Sequence, residues 1–156
     1  MDGLLEFMFE AVPAASLPLL LRSLTGETAN VVSINDYELG AQPVGAVFDE
    51  LYWQAFFRRQ GAACFMNLRV LQVGDKEVNG PSVLLMCSDM LLDVMVLMSS
   101  TDCRNAGLVL ADDFATWMKD MAQLSDAQDF CGGLDPAWDV GTQLCSSRGI
   151  GPVMSL

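Results

Sequence analysis

The stretch SVLLMCSDMLLDVMVLMS, residues 82–99, decides the fold class. It holds two nearly continuous apolar runs, Ser82–Ser88 and Leu91–Ser99, joined through Ser88-Asp89-Met90. Read as one buried helix from Val83 to Met98, it would be interrupted by Asp89 and Asp93. Val83, Val94 and Val96 favour strands, because β-branched side chains fit a pleated surface. Two strands joined by so short a link form an antiparallel hairpin, since a parallel pair needs a long crossover. Continuous apolar runs also mark strands that are central or covered on both faces.

Upstream, Ala63–Val73 reads as a third strand. Phe65, Asn67, Arg69, Leu71 and Val73 share one face, and Met66, Leu68 and Val70 the other. Gly74-Asp75-Lys76 reads as a turn, and Val78-Asn79-Gly80-Pro81 extends the punctuation. Val31–Ile34 is a short β-branched strand, Asn35-Asp36 a turn, and Tyr37–Gly45 a loop. Val47–Gln60 has helical spacing, with Phe48, Leu51, Tyr52, Ala55 and Phe56 on one face and Gly61 as the stop. Residues 3–24 carry Leu4, Leu5, Met8, Phe9 and Val12, then Leu17, Leu20, Leu21 and Leu24. That spacing predicts two short helices, or one helix broken near Pro13, with Ser16 as an N-cap ahead of Pro18.

Downstream, residues 101–107 read as a loop and Leu108-Val109-Leu110 as a brief strand. Asp112 or Asp113 then caps a helix whose apolar face is Phe114, Trp117, Met118, Met121 and Leu124. After Gln128 the chain turns rich in Gly, Ser and Pro. The order predicts an α+β fold: a mainly antiparallel sheet of about 4–5 strands, helices packed on one face, and an irregular C-terminal tail. The expected organisation is a single α+β domain over 1–128, with 129–156 as a tail on the same domain.

The chain has 156 residues, 52% of them apolar and 18% charged, so it is long enough for one well-buried core. Its formal charge is −12, from 20 acids against 8 bases. Such a surface repels phosphates and argues against nucleic acid as a partner. Histidine is absent, which removes imidazole as base, acid or metal ligand. The N-terminal stretch lacks a positively charged start and is interrupted by Asp2, Glu6 and Glu10, so no secretory signal is expected. No window reaches the roughly 18 apolar residues of a membrane span. Five cysteines (Cys64, Cys87, Cys103, Cys131 and Cys145) without close pairing suit reduced thiols and a cytoplasmic protein.

No constellation in the sequence carries catalysis, a cofactor or a metal. Asp112-Asp113 are adjacent on a helix, so they do not face each other, and capping accounts for them. Cys103, next to Arg104, is the thiol with a basic sequence neighbour, the feature that would activate it. Cys131-Gly132-Gly133 lacks the spacing of a phosphate loop, and the tail acids lack that of a calcium loop. Ten methionines fill core gaps by default, with a methionine-lined groove as the functional alternative.

Charge distribution is what remains. Between Asp102 and Asp139 lie eight acids against Arg104 and Lys119, a local −6 that is half the total. A solvated helix face explains part of it. The functional reading is a surface that steers a basic protein partner. The candidate partner-binding residues are Asp112, Asp113, Asp126, Asp129, Asp135 and Asp139, with Trp138 as the aromatic anchor. Trp117 reads as core.

Two segments carry a family resemblance. Residues 108–118, LVLADDFATWM, give a short strand, an acidic cap, then an aromatic-plus-aliphatic helix face. Leu17-Pro18, with Leu21, Leu24 and Gly26, gives an early Leu-Pro helix ending in glycine. Together they resemble immunity proteins of bacterial polymorphic toxins, especially the Smi1/Knr4-like (SUKH) group. The resemblance implies an α+β cytosolic protein that binds and neutralises a cognate toxin, and it transfers no catalytic residue. The expectation is therefore a non-enzymatic acidic protein, monomer or homodimer, occluding a basic toxin active site. The alternative is a small acidic secretion chaperone that holds an effector segment in a methionine-lined groove.

Overall fold

The computed structural model describes residues 3–156. In chain order the elements are β1 (Leu4–Pro13), α1 (Leu17–Thr25), β2 (Val31–Asp36), β3 (Gly40–Gln42), α2 (Glu50–Arg58), β4 (Ala63–Leu68), β5 (Val70–Val73) and β6 (Lys76–Asn79). They continue with β7 (Ser82–Ser88), β8 (Leu91–Ser99), α3 (Ser100–Asn105), α4 (Ala111–Ser125), β9 (Asp129–Leu134), β10 (Gln143–Ser146) and β11 (Gly149–Ile150). The fold is α+β with a mainly antiparallel sheet. That sheet has nine strands, in the order β11-β10-β9-β1-β8-β7-β4-β2-β3, and not the expected 4–5. A separate hairpin, β5–β6, lies outside it.

The deciding stretch forms the β7–β8 hairpin, with Ser88 opposite Leu91. Asp89 and Met90 both take positive φ, 50° and 63°, as the tightest two-residue hairpin turns require. The N-terminal segment read as helix is instead β1, hydrogen-bonded to β8 on one side and β9 on the other. Its alternation, with Leu5, Phe7 and Phe9 fully buried, outweighs the helical spacing of Leu4, Leu5, Met8 and Phe9. A bulge at Ala11, φ 51°, shifts the register between Phe9 and Val12 and returns Val12 to the buried face.

The segment after Gln128, expected to be irregular, supplies β9, β10 and β11. Gly132 and Gly133 are in mid-strand because both faces are crowded. A Cβ on Gly132 would lie 2.4 Å from the Phe7 ring, and one on Gly133 2.3 Å from the Thr142 carbonyl. Three smaller differences have local causes. The strand expected over 63–73 breaks at Arg69, where Asn30 accepts from Val70 N–H and donates to the Val70 carbonyl, turning β5 away. The loop at 101–107 is mostly α3, capped by Ser99 accepting from Asp102 N–H at 3.0 Å. The strand at 108–110 reduces to one bridge, Leu110 to Ser155.

One face of the sheet holds the core. A row runs across it through Asp36, Cys64, Leu85, Val94, Phe9 and Phe130, each opposite the next. Helix α4 packs here: Phe114 stacks on Phe7 at 5.1 Å, and Trp117 meets Phe7 and Phe9 edge-on at 5.5 and 5.9 Å. Trp117, Met118 and Met121 are buried as expected, whereas Leu124 is exposed. Helix α2 lies on the same face, where Tyr52 donates to Asp36 at 2.7 Å. Arg59, just past α2, donates to Asp36 through both terminal guanidinium nitrogens and reaches Glu38 at 3.2 Å. The Asp36 side chain has no solvent exposure. Arg59, and less strongly Tyr52 and two backbone N–H groups, hold its pKa far below the usual carboxylate range against the cost of burial.

Three substitutions test this packing. Gly132→Ala should cost about 1–3 kcal/mol in urea denaturation. Gly45→Ala, with open space around the added carbon, should stay within about 0.5 kcal/mol. Asp36→Asn should cost roughly 3–5 kcal/mol at neutral pH, as expected when a buried pair loses one charge. Because the folded pKa is depressed, this stabilisation is present above about pH 4, the unfolded carboxylate value. The gap between variant and wild type should therefore close only as pH falls below that value. A gap that closes between pH 7 and 5 would contradict this account.

Candidate functional site

The other face of the sheet takes the alternate residues. Asn35, Phe65, Leu84, Met95, Met8, Cys131 and Ser146 form its central row, each opposite the next. Phe65, Leu84, Met95 and Met8 in that row are half-buried, as are Leu97 and Met86 beside it, whereas their core-side neighbours are fully buried. The contrast marks a sheet face that no helix covers.

Carboxylates flank this row on β1. Glu10 lies opposite Asp129, and Glu6 opposite Gly133. Both glutamates have raised pKa values. Burial is the main cause for each, with the Asp129 and Asp93 charges adding to Glu10 and the Asp135 charge to Glu6. Glu6 is only 7% exposed and accepts from Ala137 N–H at 3.1 Å. Among the described residues, no lysine or arginine ion-pairs with Glu6, Glu10, Asp93, Asp129 or Asp135.

The 135–142 loop folds over one end of this face. Its Thr142 carbonyl closes on Gly133, and Asp135 N–H bonds the Leu4 carbonyl. Glu10, Asp129, Cys131, Trp138, Val140 and Arg148 line a cleft of about 220 Å³ there. Trp138 is 62% exposed.

The sequence-derived candidates thus fall into two groups. Asp129, Asp135, Trp138 and Asp139 gather around this cleft and its covering loop. Asp112, Asp113 and Asp126 belong to α4. Asp112 and Asp126 mark opposite ends of the helix, roughly 21 Å apart. Asp113 accepts from Val109 and Leu110 N–H at 2.9 and 2.8 Å, so it caps the helix by reaching back from inside it. Leu110, not an aspartate, holds the cap position. Asp126 closes the other end in the left-handed conformation and accepts from Ser16 at 3.4 Å. Glu6, Met8 and Glu10 do not stand out in the sequence, because a helical reading of residues 3–13 hides their shared face, and Asp93 stands out only once β1 is placed beside it. The signal was present in the strict alternation of Glu6, Met8 and Glu10 with Leu5, Phe7 and Phe9.

The thiols are inert. All five are buried, and burial pushes Cys64, Cys103 and Cys145 up to about 12 and Cys131 to about 11. Cys103 therefore gains no thiolate from Arg104. No group of three or more metal-binding side chains occurs among the described residues. No helix among them is long and apolar enough to cross a membrane.

A family model for the PABL017 Cdi1I immunity protein matches residues 3–149. The chain belongs to this immunity-protein family. Its class is therefore the one expected from the sequence, polymorphic-toxin immunity, and toxin neutralisation takes the place of the chaperone alternative. A chain in the crystal structure of the toxic C-terminal tip of CdiA from Pseudomonas aeruginosa in complex with immune protein has the same fold. The two superimpose with a TM-score of 0.84 at 23% identity, over 99% of this chain and 100% of that one. No protein of curated function matches the sequence significantly.

The raised pKa of Glu10 makes a prediction for the immunity protein alone. A carboxylate whose folded pKa exceeds its unfolded value weakens the fold once ionised. Glu10→Gln should therefore raise the urea midpoint at pH 7, and the gain should shrink as pH falls into the carboxylate range. A variant less stable than wild type at pH 7 would contradict that reading.

Proposed function

We propose that this Cdi1I-family protein acts in the cytoplasm as a stoichiometric, non-catalytic inhibitor that lays an acidic surface over a basic toxin active site. The observation that carries the proposal is the uncompensated charge around the outer-face cleft. Glu6 stands near Asp135 and Glu10 near Asp129, and among the described residues none of the four is ion-paired, although Arg148 lines the same cleft. A partner's lysines or arginines would relieve that repulsion, so the complex gains what the free protein lacks. Trp138 supplies an exposed aromatic anchor beside these charges. The acids of α4, Asp112, Asp113 and Asp126, contribute to the long-range field that steers the partner.

The chemistry of the chain supports inhibition by occupancy. No histidine is present, and the thiols are buried and protonated. Five unpaired cysteines also suit a reducing compartment.

Titrating the cognate toxin domain should give complete inhibition at one equivalent. The association rate should fall at least about tenfold between 50 and 500 mM salt, because steering between opposite charges is screened. Full inhibition at a small fraction of an equivalent would reveal turnover and contradict the proposal. A salt-independent association rate would contradict the electrostatic part.

A further inference from the structure

We infer that the uncovered outer face of the sheet across β9, β1, β8, β7 and β4 is the toxin-docking surface, with its apolar row as the centre and its carboxylates as sockets for basic side chains. This rests on the reading above that the protein inhibits by occupying a basic toxin surface. Three observations carry it.

The first is shape and composition. Met8, Met95, Leu84 and Phe65 stand side by side on four adjacent strands, and Met86 and Leu97 extend the patch. All six are half-buried within a sheet whose opposite face is fully covered by helices and the core. Methionines repack readily against an irregular partner, which suits a binding centre better than a rigid core. A partly exposed apolar row edged by carboxylates suits a protein contact site.

The second is charge. Glu6 and Glu10 flank Met8 along β1, and Asp129, Asp93 and Asp135 stand next to them. None of these acids ion-pairs with a cation among the described residues. The occupant they fit is a toxin surface whose lysines or arginines surround an apolar patch. A second copy of this chain would instead bring like charges together on the same acids.

The third is the frame. The 135–142 loop leaves Trp138 exposed at the edge of this face and anchors itself to Glu6 through Ala137 N–H. Anchor, sockets and apolar centre therefore form one continuous surface.

The test uses the full chain and its cognate toxin domain, with affinity measured by calorimetry and folding checked by thermal denaturation. Glu10→Lys with Asp129→Lys should weaken binding by roughly 100-fold. Leu84→Lys, which alters no carboxylate, should weaken it by at least about tenfold. Glu27→Lys with Asp75→Lys makes the same charge change at two exposed acids away from this face and should stay within about threefold. Folded outer-face variants that bind like wild type would overturn the inference while leaving inhibition by occupancy intact. Outer-face variants that change only the protein's own oligomeric state would also overturn it, by assigning the face to a second copy. Wild-type protein that fails to bind the toxin domain would remove the underlying reading, and this inference with it.

Discussion

The structure depends on β1 holding two neighbours at once. Its residues 4–13 pair with β8, drawn from the middle of the chain, and with β9, drawn from near its end. Remove β1 and the nine-stranded sheet divides into β7–β8 with its partners on one side and β9–β11 on the other. The same strand also faces both layers. Leu5, Phe7 and Phe9 enter the core beneath α4, while Glu6, Met8 and Glu10 present the outer face. One strand thus couples the hydrophobic core to the surface read here as functional.

That coupling explains an otherwise unfavourable arrangement. Placing Glu6 and Glu10 in a central strand, near Asp135, Asp129 and Asp93, costs desolvation and repulsion in the free protein. The core absorbs the cost: the aromatic cluster of Phe7, Phe9, Phe114 and Trp117 fixes β1 whether or not its outer face is neutralised. On the far side of the sheet, Asp36 is the opposite case. It is buried, held by Arg59 and Tyr52, and serves the fold. The two sets of acids differ in whether the chain supplies their counter-charge.

Much of this was legible in the sequence where local pattern decides. The β7–β8 hairpin, the strand at 31–34, and the buried face of α4 follow from alternation, β-branching and helical spacing. The resemblance to polymorphic-toxin immunity proteins gave the right class, although the matching family is Cdi1I and not the Smi1/Knr4-like group, and residues 108–110 form a single bridge in place of a strand. What local pattern missed has a common cause. β1 and β9 are strands because of partners distant in sequence, while the spacing of Leu4, Leu5, Met8 and Phe9 taken alone fits a helix. Gly132 and Gly133 look like turn residues, yet they are where two layers pinch a strand. The acidic candidates stand out in the sequence by their density along the chain. The fold divides them, leaving Asp112, Asp113 and Asp126 on α4 and bringing Asp129, Asp135, Trp138 and Asp139 towards Glu6 and Glu10, which density along the chain did not single out.

The methionines give a direct measurement of where the partner sits. Met8, Met86 and Met95 report the outer face, and Met118 and Met121 the core beneath α4. With methionine methyls labelled with carbon-13, NMR spectra recorded before and after adding one equivalent of the toxin domain read both layers at once. The account predicts large shifts for Met8, Met86 and Met95 and little change for Met118 and Met121. Unchanged outer-face methyls in a saturated complex would contradict it.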